Sequence, residues 1–168
     1  MQWPGVPKTN NPLARLVSDG HRPNVILLTV KGTPRPQPRP RFVRGRVIST
    51  ADPNARRWKA SVEAVARQAA REHGQQSGPL SVSLGFEMPT ADKKRWGLPH
   101  TMRPDSDNLA KLVLDAMMSA GLIGDDSAVS LLTVRKTWSP SPSAGVSVAL
   151  AVDQRVPLPA ASAPAWLT

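Results

Sequence analysis

Apolar residues fall into regular patterns between about residues 25 and 152, and into no pattern outside them. VILLTVKG (25–32) is a β-branched apolar run stopped by glycine, which predicts a buried strand. LSVSLGFEM (80–88) alternates apolar and polar positions and predicts another. AVSLLTVRKTW (128–138) and GVSVALAV (145–152) predict two more, joined by the turn-rich SPSPSA as an antiparallel hairpin. Two stretches change to helical spacing. From 53 to 73, Trp58, Val62, Val65, Ala66 and Ala69 make one apolar face, with Asp52-Pro53 as N-cap and first residue and Gly74 or Gly78 as the stop. From 106 to 120, Leu109, Leu112, Val113, Ala116, Met117 and Ala120 repeat the pattern, closed by Gly121. The order is βαβαββ. The expected fold is α+β, a small mixed sheet with two helices packed on it.

The ends differ. Residues 1–23 carry Pro4, Pro7, Pro12 and Pro23 without periodicity and read as a flexible arm; VPLPAASAPAWLT (156–168) is similar, so a Pro/Ala-rich tail is expected over 154–168. One domain, 24–153, lies between them. No apolar run is long enough for a bilayer, which takes ~20 helical residues, and no secretory signal precedes the body. The expectation is a cytoplasmic protein of a bacterium or a phage-infected host, with no membrane partner.

Charge narrows the function. The formal net charge is +10 and the pI about 11.3, which favours nucleic acid as partner. Cysteine is absent, excluding disulfides, thiolate zinc sites and a cysteine nucleophile. His21, His73 and His100 are scattered, so a bound metal would need oxygen ligands, pointing to magnesium, manganese or calcium.

Against that basic background, five of the twelve acidic residues (Asp105, Asp107, Asp115, Asp125 and Asp126) crowd into residues 105–127 beside one cation, Lys111. Asp105 and Asp107 stand at the start of the second helix, where capping free N–H groups is the plain explanation, worth ~0.3–2 kcal/mol. If the following strand returns alongside the helix, GLIGDDS brings Asp125 and Asp126 towards them. Carboxylates ~4 Å apart repel by about 4 kcal/mol at an effective dielectric of ~20, so such a cluster needs a proton or a divalent ion. Mg²⁺ is the expected ion, with Mn²⁺ able to stand in. Lys111 follows Asp107 by four residues: it is either an i,i+4 ion pair or a phosphate contact beside the metal. Asp115, one turn further, reads as structural or as an outer support of the site. A metal of this kind activates water and neutralises charge on a phosphodiester.

The second concentration of charge lies upstream. Residues 31–59 hold nine Lys/Arg against Asp52 alone. In TPRPQPRPRFVRGR (33–46), four prolines stiffen a loop that presents Arg35, Arg39, Arg41, Arg44 and Arg46, suited to phosphate contacts. Lys93, Lys94, Arg95 and Arg103 form a second basic loop. With few aromatics nearby, backbone recognition of duplex or branched DNA is favoured over single-strand stacking.

The run PDSDNLAKLVLDA, then GLIGDDS, resembles the RusA family of Holliday-junction resolvases, and VKGTPRPQPRPRF resembles that family's opening strand and basic loop. The resemblance covers roughly residues 25–152. It implies that Asp105, Asp107 and Asp126 bind Mg²⁺ and are catalytic, with Lys111 required for cleavage. Asp125, Asn108 and Asp115 would support them. It further implies a homodimer that nicks two opposed strands of a four-way junction, in DNA recombination or repair, of prophage origin by its company. The alternative is a non-catalytic DNA-binding protein of the same fold, acting in phage replication or packaging.

Overall fold

The computed structural model describes residues 25–38, 41–43, 46–48 and 52–153. The expected arm (1–23) and tail (154–168) lie outside them, as do Arg39 and Arg44. The elements are β1 (Ile26–Lys31), β2 (Arg41–Val43), β3 (Arg46–Ile48), α1 (Pro53–His73), β4 (Leu80–Pro89), α2 (Ser106–Ser119), β5 (Val129–Ser139) and β6 (Gly145–Val152). Among the described residues, β2 and β3 pair with each other alone, as expected of a segment whose prolines bar it from a central strand.

The main sheet has the order β1-β6-β4-β5, with β4 and β5 parallel and β6 antiparallel to both its neighbours. β5 and β6 are therefore not a hairpin, contrary to the sequence expectation. They run in opposite directions, but β4 lies between them. The reason is burial: Leu80, Val82, Leu84, Phe86 and Met88 of β4 are all buried, whereas Leu131 and Leu132 of β5 are exposed. The more apolar strand takes the centre, and the 140–144 connection, with its 3-10 turn Ser141–Ser143, crosses over its end. The mixed sheet with two helices is as expected.

Both helices pack on the sheet and on each other, joining Trp58, Val62, Ala66, Leu109, Leu112 and Met117 to the strands in one core. Their ends obey local chemistry. Asp52 Oδ1 accepts the Asn54 N–H (2.9 Å) to start α1, and Gly74, at φ 74°, ends it. At the end of α2, Gly121 adopts φ 75°, and the Leu122 N–H reaches the Met117 carbonyl (3.0 Å). That turn drives Leu122 and Ile123 into the core and aims the chain at β5. No helix among the described residues is long and apolar enough to cross a membrane.

Candidate functional site

The start of α2 forms one wall of a cleft of about 590 Å³. The opposite wall is the proline-rich loop after β1, including Arg35 and Gln37, with Asp52 at the start of α1; Arg103, Asp105 and Asn108 come from the α2 side. A backbone hydrogen bond from the Gln37 N–H to the Asn108 carbonyl (3.0 Å) docks the loop on the first turn of the helix. Proline at every second position from 34 to 38 limits the conformations that the docked loop loses. The basic loop and the acidic helix, far apart in sequence, thus face one another, with Arg35 and Arg103 beside Asp105.

Asp105 occupies the N-cap position of α2, yet its side chain makes no capping hydrogen bond. Capping therefore does not account for it. Asp107 is exposed in the first turn of the same helix, where the free N–H groups favour a negative charge. Gln37 Oε1, on the loop wall of this cleft, is buried without a hydrogen-bond partner, a cost of ~1–3 kcal/mol. Oxygen donors of this kind fit Mg²⁺, which is commonly held by one or two carboxylates together with water and phosphate oxygens.

Asp125 and Asp126 go elsewhere. β5 does run back alongside α2, as expected, but it is its far end that returns to the helix start. Its beginning stays at the other end: the Asp126 N–H meets Met118 Sδ at 3.1 Å. Asp107 and Met118 are about 16 Å apart along the helix axis at 1.5 Å per residue. Accordingly, among the described residues, no three His, Asp or Glu side chains form a group able to hold a metal ion. Asp125 itself caps the 3-10 turn Asp126–Ala128. Hydrogen bonds from the Ser127 hydroxyl and N–H (N–H to Oδ1 2.8 Å) hold its carboxyl below the usual range.

The residue that does arrive at the helix start is Lys136 of β5, which the sequence reading passed over. Its ammonium donates to the Met102 carbonyl (3.0 Å) and the Pro104 carbonyl (2.7 Å), fixing the chain just before Asp105. His100 lies nearby, 6% exposed, tilted against Trp138 with ring centroids 4.0 Å apart. Burial, helped by Lys136, pushes its imidazole down from the usual value.

Lys111 pairs forward with Asp115 (3.5 Å), rather than back with Asp107. Being more than half exposed, it gains little from that pair and can swing to a phosphate. The Asp115 backbone carbonyl accepts the Ser119 hydroxyl (2.8 Å). In the second basic loop, Arg95 is held by Asp92 (3.2 Å) and lies over the Trp138 ring (5.5 Å), while Lys93 lies 5.9 Å from the Trp96 ring centre. Lys94 and Arg103 are exposed. Arg41 and Arg46 occupy facing strands β2 and β3.

A family model described as endodeoxyribonuclease RusA matches residues 31–150, which include both walls of the cleft. The chain is also similar to the crossover junction endodeoxyribonuclease rusA of Lactococcus phage r1t, 40% identical over 58 residues. That stretch is 34% of this chain and 44% of the phage protein, so the match spans less than half of the relative's length.

Proposed function

This chain belongs to the endodeoxyribonuclease RusA family, and from that premise we propose that it is a Mg²⁺-dependent endonuclease that resolves four-way DNA junctions by paired, symmetric nicks. The observation carrying this reading is the cleft itself: an uncapped Asp105 at a helix start, faced by a proline-stiffened loop bearing Arg35. Asp105 and Asp107 would hold the metal, which when bound activates water and neutralises charge at the scissile phosphate. Arg35 and Arg103 hold the strand over these carboxylates through its phosphates. Lys111 would leave Asp115 for a phosphate oxygen. Lys136 keeps the 102–104 chain in position. A role in recombination or repair follows from the substrate, and the phage relative supports prophage origin.

Asp126 completes the proposed catalytic set, and its distance from Asp107 within one chain supports a homodimer in which a second copy supplies it. One described surface suits such a partner. β5 is an edge strand with Leu131 and Leu132 exposed, and among the described residues its last positions alone are covered, by 97–100. Two copies pairing antiparallel along this edge would set the start of one β5 near the end of the other.

The test uses a mobile four-way junction, labelled on each strand in turn. Wild type should give symmetric paired nicks with Mg²⁺ and none with EDTA. Asp107→Asn should lose more than the ~100-fold typical of losing an outer support of a metal site, while binding the junction as well or better because a negative charge is gone. Tight binding without cleavage by wild type, across several divalent ions, would favour the non-catalytic DNA-binding alternative.

A further inference from the structure

A second depression lies beside the acidic cleft, and the catalytic reading does not use it. It holds about 260 Å³ between the end of β1 and the first turns of α1, and is lined by Lys31, Arg35, Arg57, Asn54, Ser61 and Trp58, with Gly32 and Thr33 at its edge. Among the described residues, no carboxylate lines it. Asn54, Arg57 and Ser61 recur at three- and four-residue spacing, so one helix stripe presents all three. Trp58, only 4% exposed, packs behind them. Gly32 lets the β1 end approach that ring closely: a Cβ there would lie 3.2 Å from Trp58 Cζ3, and its φ of +134° already disfavours a side chain.

Three cations of the described residues have carboxylate partners: Lys59 has Glu63, Arg95 has Asp92 and Lys111 has Asp115. Among the described residues, Lys31, Arg35 and Arg57 have none. Three like charges around one hollow repel each other, and only an anion placed between them reverses the sign. Arg and Lys with a neutral amide donor are a set that binds phosphate oxygens, while the Ser61 hydroxyl donates to the Arg57 carbonyl (3.1 Å).

We propose that this hollow is a DNA-backbone site, taking a phosphodiester one or a few nucleotides from the one at the acidic cleft. Arg35 lines both depressions, so a strand leaving the cleft passes directly into the hollow. The inference rests on the nuclease reading. It adds where a strand is gripped outside the catalytic residues, through Lys31, Arg57 and Asn54.

The experiment is junction binding by the full chain with EDTA present, measured across a series of KCl concentrations. Wild type, Lys31→Gln, Arg57→Gln and, as control, Arg67→Gln on an exposed part of α1 would be compared. The first two variants should bind about 3–10-fold more weakly at fixed salt, with the log–log salt slope reduced by about one for each lost contact. Arg67→Gln should match wild type. Wild-type slopes in both variants overturn the proposal while leaving the nuclease reading intact. Wild-type protein that binds no DNA overturns both. A separate titration with inorganic phosphate separates the sources: phosphate binding lost in Arg57→Gln, with an unchanged DNA slope, would assign the hollow to a free anion and overturn the strand assignment.

Discussion

Asp105 and Asp125 both precede a helical turn, and the chain uses them differently. Asp125 holds the Ser127 N–H and hydroxyl, which stabilises its charge and its turn. Asp105 makes no side-chain capping bond and faces Arg35 across a cleft. Sequence located both, because Asp before a helical pattern is a strong local signal, but it could not tell a working cap from an idle one. Lys136 illustrates the opposite case. It acts on carbonyls more than thirty residues upstream, and no local pattern marks it. The same contact region makes a pH prediction. Burial and the nearby Lys136 lower the His100 pKa, favouring the neutral imidazole in the folded protein. The unfolded chain binds this proton more readily, so its contribution to stability falls as the pH drops from about 6.5 through the lowered folded value. Thermal melts from pH 7.5 to 5 should show a steeper acid loss in wild type than in His100→Phe, which keeps a ring on Trp138. Parallel acid limbs in the two proteins would show that His100 is not responsible.

At the scale of elements, helices were legible and strand neighbours were not. Asp52-Pro53 and Gly74 mark the ends of α1 chemically, and Gly121 marks the end of α2. Strand positions followed from β-branched alternation, but pairing depends on which strand is most completely buried, a property of the whole sheet. Hence β4 enters between β5 and β6, and residues 97–100 attach to the free edge of β5, with Trp138 bonded to Leu98 in place of a further strand. β6 depends on a residue with no side chain. A Cβ on Gly145 would collide with the Val30 carbonyl oxygen on paired β1, and backbone cannot swing aside as a side chain can. Gly145→Ala should therefore cost about 1–3 kcal/mol, the range for overpacking, seen as a lower melting temperature. Gly85→Ala, in β4, has ordinary space at its Cβ and serves as the comparison. An unchanged melting temperature for Gly145→Ala would mean that the β1–β6 pairing adjusts freely there.

The whole molecule separates its charges. A chain of net charge +10 keeps one acidic pair at the start of α2 and the other near its end, so proximity in sequence did not become proximity in space within one chain. The mixed-subunit experiment turns this into a decision. Asp107→Asn and Asp126→Asn chains, co-expressed with different tags and purified through both, give a dimer with one mutant of each kind. If a partner supplies Asp126, both substitutions fall in the same site and the other site is intact. In a two-fold dimer that leaves about half the wild-type capacity for single nicks, and no paired resolution. If each chain carries its own full set, both sites are damaged and no nicks appear. Each variant alone should be inactive in either case, and a wild-type dimer carrying the same two tags controls for the tags. Failure to recover any doubly tagged protein would count against the homodimer itself. Single nicks with no paired resolution would place Asp126 of one copy beside Asp105 and Asp107 of the other, and would explain why the far end of β5, not its beginning, returns to the cleft.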